Sequence, residues 1–148
     1  NCARTLYYVW HHMVERTAGA LRLHLLLNHS SEWADVVSDV PHRGHITVSV
    51  KQPVGSVAMR APEWVTAGSP AVYGEVNGLR RDMDWDGRYA RLSGITTGDT
   101  VSFGFPISDR TVEERIGDVD YTLTIRGNNV VAISPEGRFG PFYQTDDA

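Results

Sequence analysis

Over Asn1 to Arg16 the apolar residues Leu6, Val9, Trp10 and Met13 recur three and four positions apart, which puts one apolar side on a 3.6-residue repeat. That spacing predicts an amphipathic helix, with Gly19 as its stop. Tyr7, Tyr8, His11 and His12 enlarge its surface. A helix of three to four turns is marginal alone, so its apolar side calls for a partner surface. Residues 1–18 are therefore read as the last helix of an upstream helical domain, against the alternative of a helix capping this chain's own β structure.

After Gly19 the period changes to two. Leu21, Leu23, Leu25 and Leu27 alternate with Arg22, His24, Leu26 and Asn28, as on a strand with one buried face. Ile46, Val48 and Val50 repeat the pattern, Val57, Met59 and Ala61 resume it, and Pro62 closes the run. From Val72 to Ile107 short strands are punctuated by Asn77-Gly78, Asp86-Gly87 and Thr97-Gly98-Asp99. Asn-Gly and Asp-Gly supply the positive φ that tight hairpins need, which predicts an antiparallel meander. Ser108 to Asp120 reads as a polar linker, Tyr121 to Ile125 and Val130 to Ile133 as a final hairpin, and Pro135 to Tyr143 as a packed loop. The expected fold class is mainly β: an antiparallel β-sandwich over residues 19–108, preceded by one N-terminal helix left from an α/α barrel. Residues 109–148 are expected to form a hairpin and tail packed on that sandwich.

A chain of 148 residues with 41% hydrophobic residues has room for one core, burying roughly 70% of its unfolded surface. Its net charge is −4 and no Lys/Arg stripe interrupts it, so the electrostatic footprint of nucleic-acid binding is missing. Of the 14 basic residues only Lys51 is Lys, a bias without mechanistic weight. No apolar run approaches the roughly 18 residues of a membrane span, and no signal peptide is recognisable at Asn1. The cytoplasm is favoured, with export through a signal further upstream left open. Cys2 is the only cysteine, which excludes an internal disulfide and a Cys-rich zinc cage.

Asp82, Asp84, Asp86 and Gly87 match the opening of a calcium loop, but Ser93 stands where its closing bidentate Glu belongs, so a plain Asp-Gly turn is the expectation. His11-His12 and the pair His42 and His45 lack a third ligand at metal spacing, and Asn28-His29-Ser30 is treated as a chance sequon. Glu113 with Glu114, Asp118 with Asp120, and Glu63 beside Trp64 are the acid pairs that glycoside hydrolysis commonly needs, though polar loops make solvated charge the default. Trp64 and Trp85 are the candidate carbohydrate contacts, since an aromatic face suits the C–H patches of a sugar ring; half-buried core is the competing role.

Several blocks in order resemble glycoside hydrolase family 127, the β-L-arabinofuranosidase family, in the region after its catalytic barrel. They are Leu6-Tyr7-Tyr8-Val9-Trp10, Gly19 to Asn28, Trp33-Ala34-Asp35-Val36, Lys51-Gln52-Pro53, Arg60 to Val65, Val76-Asn77-Gly78, Trp85 to Tyr89, Gly98-Asp99, Phe105-Pro106-Ile107, Arg126 to Val131 and Pro141-Phe142-Tyr143-Gln144. The resemblance implies an (α/α)6 barrel carrying catalysis, β-sandwich domains after it, and hydrolysis with retention by a Cys nucleophile near a zinc held by Cys and Glu ligands. A thiolate beside zinc is chemically sensible, because the metal lowers the thiol pKa. The family's catalytic cysteines precede the helix that opens here, and Cys2 matches neither, so no catalytic, cofactor or metal residue is carried over. The expectation is a non-catalytic sandwich supporting the upstream barrel of the same polypeptide, with Leu6, Trp10 and Met13 as the barrel-facing seam. The alternative is a free-standing module binding arabinose-containing glycans through Trp64 or Trp85. An independent enzyme using loop carboxylates ranks last.

Overall fold

The structure is a computed structural model that describes residues 2–136. The chain divides into two compact units, Asn1–Pro106 and Ile107–Ala148. It is mainly β, with one short helix at its start, and all strand pairs but one are antiparallel among the described residues.

Helix α1 spans Cys2–His11 and ends well short of the expected Arg16. Two strands follow, β1 (Val14–Thr17) and β2 (Ala20–Leu23), paired from Thr17↔Ala20 to Val14↔Leu23. Ala18 and Gly19 have φ of 48° and 80°, the two positive values a two-residue hairpin turn requires. Gly19 therefore turns a hairpin and does not stop a helix. The β-branched Val14 and Thr17 fit the strand, and Val14 is buried, so tertiary burial overrides the helical spacing. Met13 is buried as well and leaves the predicted helical seam. Strand β2 also stops earlier than the leucine alternation suggested: Leu25 and Leu27 are exposed, while the His24 amide donates to the Met13 carbonyl at 2.8 Å.

The strands β3 (His29–Ser30), β4 (Ala34–Ser38), β5 (His45–Val50), β6 (Ser56–Arg60), β7 (Tyr73–Val76), β8 (Leu79–Arg81), β9 (Asp84–Asp86), β10 (Tyr89–Ser93) and β11 (Thr100–Gly104) complete the first unit. They form a five-stranded sheet, β1-β2-β6-β10-β9, and a six-stranded sheet, β3-β4-β5-β11-β7-β8. Each sheet buries alternate side chains: Leu21, Leu23, Val57, Met59 and Leu92 in the first, Ile46, Val48, Val101 and Phe103 in the second. The sheets meet closely at Gly74 of β7, where an added Cβ would lie 2.8 Å from both a Leu92 methyl and the Met83 sulfur. This is the layered β-sandwich that the alternation predicted.

The second unit contains β12 (Asp109–Ile116), β13 (Val119–Arg126) and β14 (Asn129–Ser134) in one antiparallel sheet of that order. The expected polar linker at Ser108 to Asp120 is thus a full strand and its turn. Its charged residues lie on an exposed sheet, where a strand needs no apolar alternation on both faces. The expected loop from Pro135 to Tyr143 lies, beyond Glu136, outside the described residues.

Candidate functional site

At the open edge of the sandwich, β8 is the last strand of one sheet and β9 the last of the other. The chain crosses between them through Asp82 and Met83, and the crossing leaves an open groove of about 750 Å³. Ser69 and Pro70 form one wall, from a loop braced by hydrogen bonds from Val65 N–H to Pro62 and from Val72 N–H to Ser69, both 3.0 Å. Arg88 fastens the loop's start by donating through Nη2 to the carbonyls of Ala61, Pro62 and Val65. Tyr73, Arg81, Asp82 and Trp85 line the remainder.

The Arg80 guanidinium covers the Tyr73 ring at 3.5 Å from its centroid and pairs with Glu75 at 3.2 Å. Trp85 sits opposite the buried Ala90 in the β9–β10 register, so its side chain leaves the sheet on the core side and ends at the groove, half-buried. Trp64 lies elsewhere. Its indole N–H donates to the Pro106 carbonyl at 3.0 Å and its ring tilts against Phe105 at 6.4 Å. The two tryptophans singled out from sequence do not share a site.

The acidic run around Trp85 is spent on cross-strand ion pairs: Asp84 with Arg91 and Asp86 with Arg22, each at 3.6 Å. Glu113 and Glu114 are neighbours on β12 and so point to opposite faces, and Asp120 pairs with Arg115 at 3.7 Å. His11 and His12 touch edge to face at 5.1 Å, and His45 pairs with Asp39 at 3.3 Å. Among the described residues the zinc that the resemblance implies finds no donor set. Among the described residues no three His, Cys, Asp or Glu side chains converge, and Cys2 stands exposed on α1.

One cluster had no signal in the sequence reading. On the outer face of the five-stranded sheet, His24 Nδ1 meets the Tyr89 hydroxyl at 2.6 Å and Nε2 meets Glu15 at 3.2 Å, while Arg22 lies over the Tyr89 ring at 5.4 Å. Arg22 of β2 and His24 just beyond it continue one alternation, and the β1–β2 hairpin sets Glu15 opposite Arg22, but only the pairing of β6 with both β2 and β10 brings Tyr89 to them.

Two carboxylates are held by hydrogen bonds. Hydrogen bonds from the Asn77 side chain and from Thr96 to Asp99 hold the Asp99 carboxyl below the usual aspartate range. Bonds from Lys51 and Ser30 do the same for Asp35.

Helix α1 carries the other notable surface. None of its residues is buried; Leu6 is 68% exposed and Trp10 53%, with Tyr7, Tyr8 and Val9 between and around them also exposed. Its nearest aromatic neighbour in the sandwich is His29, which Trp10 meets edge to face at 5.3 Å.

Together these features define a two-layer β-sandwich with an apolar N-terminal helix and an edge groove, a class of fold and not of reaction. No known family model matches the chain, and no curated protein matches it. Solved structures do share the fold. A family 127 β-L-arabinofuranosidase from Geobacillus stearothermophilus T6 superposes with a TM-score of 0.58 at 20% identity over 86% of this chain and 22% of that one. A protein described as a glycoside hydrolase gives 0.62 at 20% identity, over 84% of this chain and 23% of its own. A family 127 β-arabinofuranosidase gives 0.61 at 18% identity, over 78% and 22%. At such identities the likeness is one of fold, and it falls on the family whose motifs the sequence resembles. The chain spans less than a quarter of the length of each of these proteins.

Proposed function

We propose that this chain is the non-catalytic β-sandwich portion of a glycoside hydrolase resembling β-L-arabinofuranosidases, and that it supports a catalytic helical barrel of the same polypeptide. The observation that carries this reading is the contrast within the first fourteen residues. Met13 and Val14 are sealed in the sandwich at 4% and 3% exposure, while the helix just before them buries nothing and shows Leu6 and Trp10 to the surface. A ten-residue helix draws its stability from packing, and an apolar surface of this kind marks an interaction site. The seam is accordingly Leu6 and Trp10, one turn apart, without Met13. Structural likeness to part of three glycoside hydrolases supports the same assignment. In this reading zinc and the nucleophilic thiolate belong to the barrel, and arabinose-containing glycans are substrates of the whole enzyme.

The test uses the 148-residue chain and the full polypeptide encoded with it, assayed on p-nitrophenyl β-L-arabinofuranoside. The chain alone is expected to be inactive and the full polypeptide active, with the double substitution Leu6→Asp and Trp10→Asp lowering both its activity and its thermal midpoint. Hydrolysis by the chain alone, or a full polypeptide indifferent to the double substitution, would refute the proposal.

A further inference from the structure

We propose that the groove at the open edge of the sandwich is a binding subsite for a neutral saccharide, with Trp85 as its stacking platform. The volume of about 750 Å³ lies within the range of small-ligand clefts and accommodates more than one sugar ring. Its aromatic residues are not equivalent. Arg80 already covers Tyr73, and Glu75 neutralises and locks that arginine. Trp85 keeps an available ring: it makes no ring contact, and its indole N–H has no hydrogen-bond partner, among the described residues. Trp64, by contrast, spends its N–H on the Pro106 carbonyl. An indole that is half out of water with an unused donor suits a ligand offering both a C–H face and hydroxyl acceptors.

The polar groups beside it match that chemistry. Arg81 and Asp82 line the groove, both are exposed, and neither is in an ion pair among the described residues. They present one set of donors and one set of acceptors, as sugar hydroxyls require, because each hydroxyl both gives and takes a hydrogen bond. Of the charges lining the groove, Arg80 is paired with Glu75 of β7, and Arg81, which also acts on the Asp99 carboxyl, is opposite in sign to Asp82, so the groove offers little net attraction to a polyanion. An uncharged glycan fits better than an acidic one.

The inference does not depend on the supporting role proposed for the helix, since Trp85, Arg81 and Asp82 lie apart from Leu6 and Trp10 in sequence and on different elements. The test is affinity electrophoresis of the 148-residue chain through gels cast with linear arabinan, xylan or polygalacturonate. Retardation by at least one neutral polymer is expected, lost in Trp85→Ala, reduced in Trp85→Phe, and largely lost in Arg81→Ala and Asp82→Asn. The last two sites are exposed, so those variants keep the sandwich intact even if Trp85→Ala loosens its edge. Unretarded migration in both neutral gels would overturn the proposal. So would retardation unchanged by Arg81→Ala and Asp82→Asn, or stronger retardation by polygalacturonate that vanishes with added salt.

Discussion

In β5 and β11 the alternating residues Ile46, Val48, Val101 and Phe103 have no exposure at all, whereas in β13 an equally regular series, Val119, Tyr121, Leu123 and Ile125, stays partly or largely open. Register places Val112, Ile116 and Ile133 on the same face of that second sheet. Ile116 is 67% exposed and Ile133 49%. Among the described residues, every buried apolar side chain lies between Met13 and Phe105. Alternation thus states which face of a strand is apolar; whether that face is covered depends on a second layer that the pattern does not encode.

The sharpest way to break this contrast is to delete equivalent side chains. Phe103→Ala should cost about 3–5 kcal/mol, because it empties a sealed core position, whereas Leu123→Ala should cost ~1 kcal/mol, since much of its surface is already wet. Urea titrations followed with a probe in each unit would check this, and equal costs would mean that the second sheet is covered in solution. Glycines give a second comparison. At Gly104, opposite Tyr73 in the ladder, a Cβ would overlap the Tyr73 ring, so Gly104→Ala should destabilise the first unit by roughly 1–3 kcal/mol. Gly117 has open space around it and φ of +64°, so Gly117→Ala should cost only the left-handed strain, about 1 kcal/mol.

Acid separates the units more gently. Asp99 in the first is held low by Asn77 and Thr96, and Asp109 in the second by its hydrogen bonds from Arg126. Both folded values are depressed, so each contributes stability that is present above the ordinary aspartate pKa and is lost as pH falls through the lower folded value, below about pH 4. Urea midpoints measured from pH 7 down to pH 2 should fall in that window for both units, and Asn77→Ala should flatten the fall in the first unit alone. The smallest effect is expected for Asp84→Asn. It breaks an exposed pair with Arg91 and should shift stability by no more than ~0.5 kcal/mol in a thermal melt.

Much of the first unit was legible in the sequence. The Ile46-Val48-Val50 alternation is β5 with its three buried residues, and Asn77-Gly78, with both φ positive, turns β7 into β8. Three misreadings share a cause. Val14 to Arg16 fell inside the expected helix, Leu25 and Leu27 carried a strand spacing, and Ser108 to Asp120 no apolar spacing, yet tertiary context made them strand, exposed loop and mostly strand. The candidate site was half legible: Trp85 was singled out for its chemistry. Its separation from Trp64, and its company of Tyr73, Arg81 and Asp82, come from two sheet edges meeting, which no local spacing records.

The parallel pairing of β2 with β6 has a consequence in time. Every other pair in the five-stranded sheet is antiparallel, but Ala20 must find Ser56 across the intervening β3, β4 and β5. Loop closure over that length costs entropy before any contact repays it, whereas the β1–β2 hairpin closes locally, so the hairpin can form early but joins the sheet only when β6 arrives. The helix hangs from that hairpin through Met13, whose carbonyl receives the His24 amide. The apolar surface of α1 therefore reaches its final position only once β2 has docked on β6, so a strand pairing far along the chain sets when that surface is in place.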